Sequence, residues 1–150
     1  MKRPMTSRGE ATGKLIYEVL RLHGRLIAAG DTLMAELGLS SARWQVLGTV
    51  AAGTRPLTVP ELARILGQSR QSLQRLVNEM ADDGLLRLVD NPAHRRSPHV
   101  EPTDEGRRLH DEVEARRIPW TEGLAAKLGD VDAAAAARAL VALRAVLERG

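Results

Sequence analysis

Between positions 68 and 78 the chain sets out Gln68, Ser69, Arg70, Gln71, Ser72, Gln74, Arg75 and Asn78 without a single acid. These are side-chain types that hydrogen-bond to nucleic acid. Arginine pairs with guanine, glutamine and asparagine pair with adenine, and serine meets base edges or phosphates. A face that is merely solvated would mix glutamate into such a run. Acids do follow, at Glu79, Asp82 and Asp83. A helix over this stretch therefore carries its donors towards its N-terminus and its acids at the far end, which suits entry into a major groove N-terminus first. Further on, Asn91-Pro92-Ala93-His94-Arg95-Arg96-Ser97-Pro98 is rich in turn formers. Arg95 and Arg96 at the tip of a hairpin would be drawn to the negative potential of a minor groove. The reading surface expected from the residues alone is thus Ser69, Arg70, Gln71, Gln74, Arg75 and Asn78 for the major groove and Arg95 and Arg96 for the minor groove. Ser69 and Thr58 are candidate donors to phosphate.

Something must hold those side chains in place. Thr58-Val59-Pro60-Glu61 has the pattern of a capping box, with the Thr58 hydroxyl accepting from the Glu61 amide and Glu61 reaching back. Pro60 is tolerated in a first helical turn. The spacing predicts a short helix to Leu66, a stop at Gly67, and a second helix capped by Ser69 with Leu73, Leu76, Val77 and Met80 on its inner stripe. Ala63, Gly67 and Leu73 supply the small residue, the turn and the anchor of a helix-turn-helix; an ordinary pair of antiparallel helices is the competing reading of that triplet. Gly84 ends the second helix. Leu85 to Val89 and His99 to Glu101 read as the two strands of a hairpin, and Pro98 and Pro102 predict that the return strand is an edge. Arg55-Pro56 reads as loop.

Apolar helices flank this middle. Leu15, Ile16, Val19, Leu22, Leu26, Ile27, Leu33 and Leu37 recur at helical spacing from Thr12 to about Leu37, with Gly24 and Gly30 as points of bending. A second helix starts at Ser40 or Ser41 and ends near Gly53, with Val46, Leu47 and Val50 inward and Trp44 beside them. Thr103 with Asp104 and Glu105 starts another, expected to run to about Arg117, where Pro119 should kink or break it. An alanine-rich helix closes the chain from about Asp130 to Glu148. The fold class expected is mainly α with a small β-hairpin wing (α+β). It is a winged helix-turn-helix lobe over residues 38–103 with a helical dimerisation region at 12–37 and 104–149, all in a single compact chain.

Composition narrows the alternatives. The chain has 150 residues, enough for one domain, and no cysteine, so disulfides, thiolate zinc sites and cysteine nucleophiles are excluded. Aromatic residues make up 2%, too few for the stacking platforms of a single-strand binder. Net charge is +3, and the stretch 54–102 sums to only +1, because its acids offset its arginines. Placement matters more than total. Of the basic residues 19 are Arg and 3 are Lys, a bias that suits phosphates and base edges and equally follows from a GC-rich genome. No apolar run spans a bilayer and the N-terminal stretch lacks a signal-peptide core, so the expected setting is cytoplasmic, without membrane contact.

The middle segment resembles the MarR family of bacterial transcriptional regulators. The likeness is carried by Leu62-Ala63-Arg64-Ile65-Leu66-Gly67-Gln68-Ser69, Leu76-Val77-Asn78, Gly84-Leu85-Leu86, the Asn91–Ser97 wing and Thr103-Asp104-Glu105-Gly106. It extends from about residue 12 to 149. The family wing commonly reads Asp-Pro-x-Asp-Arg-Arg, followed by Leu-Thr-x-x-Gly. Here Asn91 and His94 stand at the two acidic positions and Pro102 where leucine is usual, so the acid that would brace a wing arginine is replaced by an imidazole. The resemblance implies a homodimer built from the first and last helices, a palindromic operator in double-stranded DNA, and often derepression by a small ligand. The apolar stripes at both chain ends support a dimer independently, the competing reading being that those helices cover only each other.

Other constellations carry less. Tyr17, His23 and Trp44 are candidate effector contacts, with core packing the alternative for Trp44. His23, His94, His99 and His110 are scattered, so no metal site is expected, and no cofactor is implied. No glycine-rich phosphate loop or nucleophile elbow recommends an enzyme. The helix 104–114 alternates acids with Arg107 and Arg108 as a solvated face does. Lys2, Arg3, Arg8, Lys14, Arg21 and Arg25 read either as a DNA-contacting arm or as a disordered tail leading into a helix. A second class of function stays open: a winged-helix adaptor or antirepressor that binds protein and not DNA.

Overall fold

The structure, a computed structural model, describes residues 4–150. Helix α1 (Ser7–Met34) begins where the Thr6 hydroxyl accepts from the Gly9 amide, so Arg8 and Lys14 belong to a helix and not to a tail; Lys2 and Arg3 lie outside the described residues. It starts earlier than the apolar spacing alone suggests, because the cap precedes the first apolar contact. It passes through Gly24 and Gly30 as one helix and ends in a 3₁₀ turn at Ala35–Leu37.

Helix α2 (Ser41–Ala51) is capped by Ser40. It is fastened to α1 by two hydrogen bonds from Ser41. The Ser41 amide donates to Asp31 Oδ1 at 2.6 Å and the Ser41 hydroxyl to the Ile27 carbonyl at 2.7 Å. Gly30 is buried there, beside Ser41 and Trp44.

A two-residue strand β1 (Leu57–Thr58) leads into α3 (Val59–Leu66), and Gly67 turns the chain into α4 (Arg70–Asp82). The turn needs a left-handed residue, and Gly67 takes φ 65° without the cost a side chain would add. Strands β2 (Leu86–Val89) and β3 (His99–Pro102) form the hairpin, and β3 pairs on its other side with β1. The strand order β1-β3-β2 makes β3 the central strand, which corrects the edge position expected from its prolines. Pairing with β1 reaches only Val100 and His99, so the missing amide of Pro102 falls where no second neighbour asks for it.

Helix α5 (Asp104–Leu128) contains Pro119 and continues past it, against the expected stop near Arg117. Pro119 and Ala115, whose carbonyl loses its intrahelical donor, are both exposed, so water can serve that carbonyl. Helix α6 (Ala133–Arg149) follows, capped by Asp132.

The chain divides into two compact units, one ending at Arg117 and the other running Ile118–Gly150. In the first, Met34, Val46, Leu47, Leu62, Leu73, Val77, Met80, Val100 and Val113 are fully buried in one core. Each such aliphatic side chain removed from water stabilises by about 1.5–3 kcal/mol. Because Leu73, Val77 and Met80 face inward, α4 has only one orientation in which it can lie. No described helix is long and apolar enough to cross a membrane.

Candidate nucleic-acid interface

Helical period sets the outer face of α4. With Leu73, Val77 and Met80 inward, Arg70, Gln71, Gln74, Arg75 and Asn78 are all exposed. The Ser69 hydroxyl accepts from the Ser72 amide at 3.1 Å and donates to Ser72 Oγ at 2.9 Å. The two hydroxyls thus use one proton between them, and one is left to offer. Gln74 Nε2 donates to Asn78 Oδ1 at 2.9 Å. Arg75 lies 3.9 Å from Glu79 with its side chain 81% exposed, a contact too loose to hold it from another partner. At the far end Asp83 pairs with Arg43 of α2, tying the C-terminus of α4 to the helix behind it.

Helix α3 is set by its first turn. The Thr58 amide donates to Glu61 Oε2 at 2.8 Å, and the Glu61 amide returns a bond to Thr58 Oγ1 at 3.4 Å, completing the capping box expected from the sequence. The Thr58 hydroxyl donates to Glu61 Oε2 at 3.1 Å, so its proton is also committed within the protein. Arg55 closes on the same carboxylate at 2.9 Å. The hydrogen bonds from Arg55 and from the Thr58 amide hold the Glu61 carboxyl down to about 2. Its folded-state value lies below the ordinary 4.5, so the stability it adds is present above that value and is lost as pH falls towards 2. The melting temperature of wild type should exceed that of Glu61→Gln most at neutral pH, and the gap should close on acidification. A gap independent of pH would show that the charge on Glu61 is not what the box uses.

The wing is held by Asn91. Its side chain is nearly buried, at 8% exposure; Nδ2 donates to the Ser97 carbonyl at 2.9 Å and Oδ1 accepts from the Ala93 amide at 3.1 Å. Asn91 thus ties the two ends of the loop together. His94 is exposed, and its backbone carries the turn bonds to Asn91 and Ser97. A cross-strand pair, Arg87 with Glu101 at 3.0 Å, stiffens the hairpin. Arg95 and Arg96 are left exposed at the tip.

These elements converge. A cleft of about 280 Å³ is lined by Val59 and Pro60 of α3, Arg70, Gln71 and Gln74 of α4, and Arg96, Ser97 and Pro98 of the wing. A neighbouring cleft brings Arg55, Thr58 and Arg70 beside His94 and His99. Arg95 lines a third, with Asp90, Asn91 and Pro92. Arg55, which the sequence presents only as part of a loop, is thereby a further cation beside the expected surface. Nothing in local spacing marks it, since its carboxylate partner stands six positions on and one element later.

The candidate effector residues lie on α1 and α2. Tyr17 is 60% exposed on α1 with Arg21 over its ring at 5.5 Å, His23 is exposed on the same helix, and Trp44 is half-buried against the core. None of the three lines the clefts beside α4 or the wing. Among the described residues no three His, Asp or Glu side chains converge as a metal ion requires.

A two-helix turn with an exposed, acid-free second helix, a three-stranded wing and flanking helices together define a winged helix-turn-helix protein. The model of the MarR family matches residues 37–97. Among relatives, Rv2011c of Mycobacterium tuberculosis is 40% identical over 112 residues, covering 75% of this chain and 77% of that protein. The transcriptional activatory protein BadR of Rhodopseudomonas palustris is 30% identical over 111 residues, covering 73% and 63%. In fold, the chain is similar to the transcriptional regulator BldR of Sulfolobus solfataricus (TM-score 0.76, 20% identity, 97% of this chain and 100% of that one). It is also similar to MepR of S. aureus in complex with DNA (0.75, 14%, 87% and 96%). CouR of Rhodococcus jostii RHA1, bound to p-coumaroyl-CoA, is a third (0.70, 22%, 87% and 89%). Over residues 37–97 the chain belongs to the MarR family, and its fold is that of the solved regulators above.

Proposed function

We propose that this protein is a homodimeric regulator that binds a palindromic operator in double-stranded DNA, with residues 38–103 as the reading lobe and 12–37 and 104–149 as the dimerising regions. The observation that carries the reading is the outer face of α4, free of acids from Arg70 to Asn78 and flanked by Arg96 of the wing across one cleft. Arg70, Gln71, Gln74 and Arg75 enter the major groove in this reading, and Arg95 and Arg96 the minor groove. The Ser69–Ser72 pair offers one hydroxyl proton near the phosphates, and Arg55 adds a backbone contact that Thr58, its proton spent, supplies less well. The solved complex of MepR with DNA supports the same use of this fold.

The dimer is supported by what a single chain leaves uncovered. Leu20 of α1 is 70% exposed beside Ile16 and Val19, and α6 buries none of its residues despite Leu140, Val141, Val146 and Leu147. Pairing about a two-fold axis would bury these stripes and set the two α4 helices about 34 Å apart, one turn of duplex. The reading includes repression by occupancy of the operator. BadR is named an activatory protein, so transcription from the bound operator in vitro distinguishes the two signs. Relief by a small-molecule effector at Tyr17, His23 and Trp44 enters by family resemblance, and CouR was solved with p-coumaroyl-CoA.

A mobility-shift titration tests the reading. Random duplex should be retained at low salt, and log K should fall linearly and steeply with log salt as condensed counterions are released. No retention at low salt would instead support the protein-binding adaptor.

A further inference from the structure

The hydrogen bond between Gln74 and Asn78 decides more than the conformation of two surface side chains. The Gln74 amide carries two hydrogens on Nε2 and an acceptor at Oε1. Asn78 Oδ1 takes one of those hydrogens at 2.9 Å. One hydrogen and Oε1 remain, which is the donor–acceptor pair that matches N7 and N6–H of adenine. Guanine offers two acceptors, O6 and N7, and asks for two donors side by side. Gln74 can meet that demand only by giving up its bond to Asn78 and turning its carbonyl away.

Position separates the roles of the two residues. Gln74 lines the cleft beside Arg96 of the wing, and Asn78 does not. Asn78 stands four residues deeper, about 6 Å further along the helix axis, and a reading helix meets bases with its N-terminal part. We infer that Asn78 is a positioning residue that holds Gln74 for adenine, so that each half-site carries an A·T pair opposite Gln74 that is preferred to G·C. This rests on the DNA-binding reading and adds to it a base identity and a residue that sets it without touching the base.

The test is selection of sites from a randomised duplex pool by wild type, Gln74→Ala, Asn78→Ala and Asn78→Asp. Affinities are then measured for the selected duplex and for single A·T to G·C exchanges within it. Gln74→Ala should abolish preference at one base pair per half-site. Asn78→Ala should lower the A·T over G·C ratio at that same pair by about tenfold. Asn78→Asp keeps the acceptor and should keep the ratio, whatever its charge does to overall affinity. Both side chains are exposed, so all variants should melt with wild type. An unchanged ratio in Asn78→Ala, a change at a different pair, or equal behaviour of the Ala and Asp variants would overturn the inference while leaving DNA binding intact. Failure of wild type to retain any duplex would overturn the functional reading itself.

Discussion

Gly106→Ala will lower the melting temperature although it improves helix propensity. Gly106 is buried in the first turn of α5, and a Cβ there would be driven into the carbonyl oxygen of Leu85. That carbonyl cannot retreat, because it accepts the Thr103 amide at 3.1 Å, while the Thr103 hydroxyl donates to the Gly84 carbonyl at 2.6 Å. Thr103 Oγ1 in turn accepts the Gly106 amide at 3.0 Å. The start of α5 is thus stitched to the turn between α4 and β2, and any shift that makes room for a methyl group pulls on the turn that ends α4. Overpacking of this kind costs about 1–3 kcal/mol or more, against about 1 kcal/mol returned by alanine in a helix. A net loss of about 2 kcal/mol corresponds to roughly 4–8 °C in Tm for a chain of this size. A melting temperature equal to or above wild type would show that the turn is free to move and that α5 is not docked through Thr103.

Arg75→Ala and Arg95→Ala will weaken operator binding in two distinguishable ways. Arg75 is held only by a loose contact to Glu79, so its guanidinium is available to a base edge at little cost. Losing a bidentate contact to guanine should cost about 1–3 kcal/mol and relax preference at one base pair per half-site. Arg95, at the exposed tip of a wing stapled by Asn91, should contribute mainly charge. Its removal should weaken all duplexes alike and reduce the slope of log K against log salt by about one per protomer. Titrations of selected and random duplex at several salt concentrations separate the two. Unchanged affinity and specificity in both variants would remove this face as the reading surface. The prediction depends on stability only weakly, because neither side chain contributes to the core.

Several parts of the fold were legible because their signals are local. A capping box needs Thr58 and Glu61 three residues apart, and the backbone geometry of one helical turn does the rest. Gly67 ends α3 because only its own φ has to change, and the inward positions of α4 follow from a period of 3.6. The hairpin was legible through its turn formers, and Asn91, one of the two wing residues that depart from the family pattern, is the one that fastens it.

The remainder depended on partners distant in sequence. Strand β1 has two residues, too few to show any alternation, and exists because β3 offers it a free side. That pairing makes β3 central despite two nearby prolines. Pro119 fails to stop α5 because the carbonyl it orphans faces water. The sequence by itself determined which residue types face outward on the second helix and at the wing tip, since helical period and turn chemistry act within a few residues. Only the tertiary structure decided what else stands beside those groups. Arg55 arrives from a loop beside Arg70 and the wing, and β3 takes a neighbour on each side. A contact between distant segments is settled by where the chain brings the partner, and no spacing along the sequence records that.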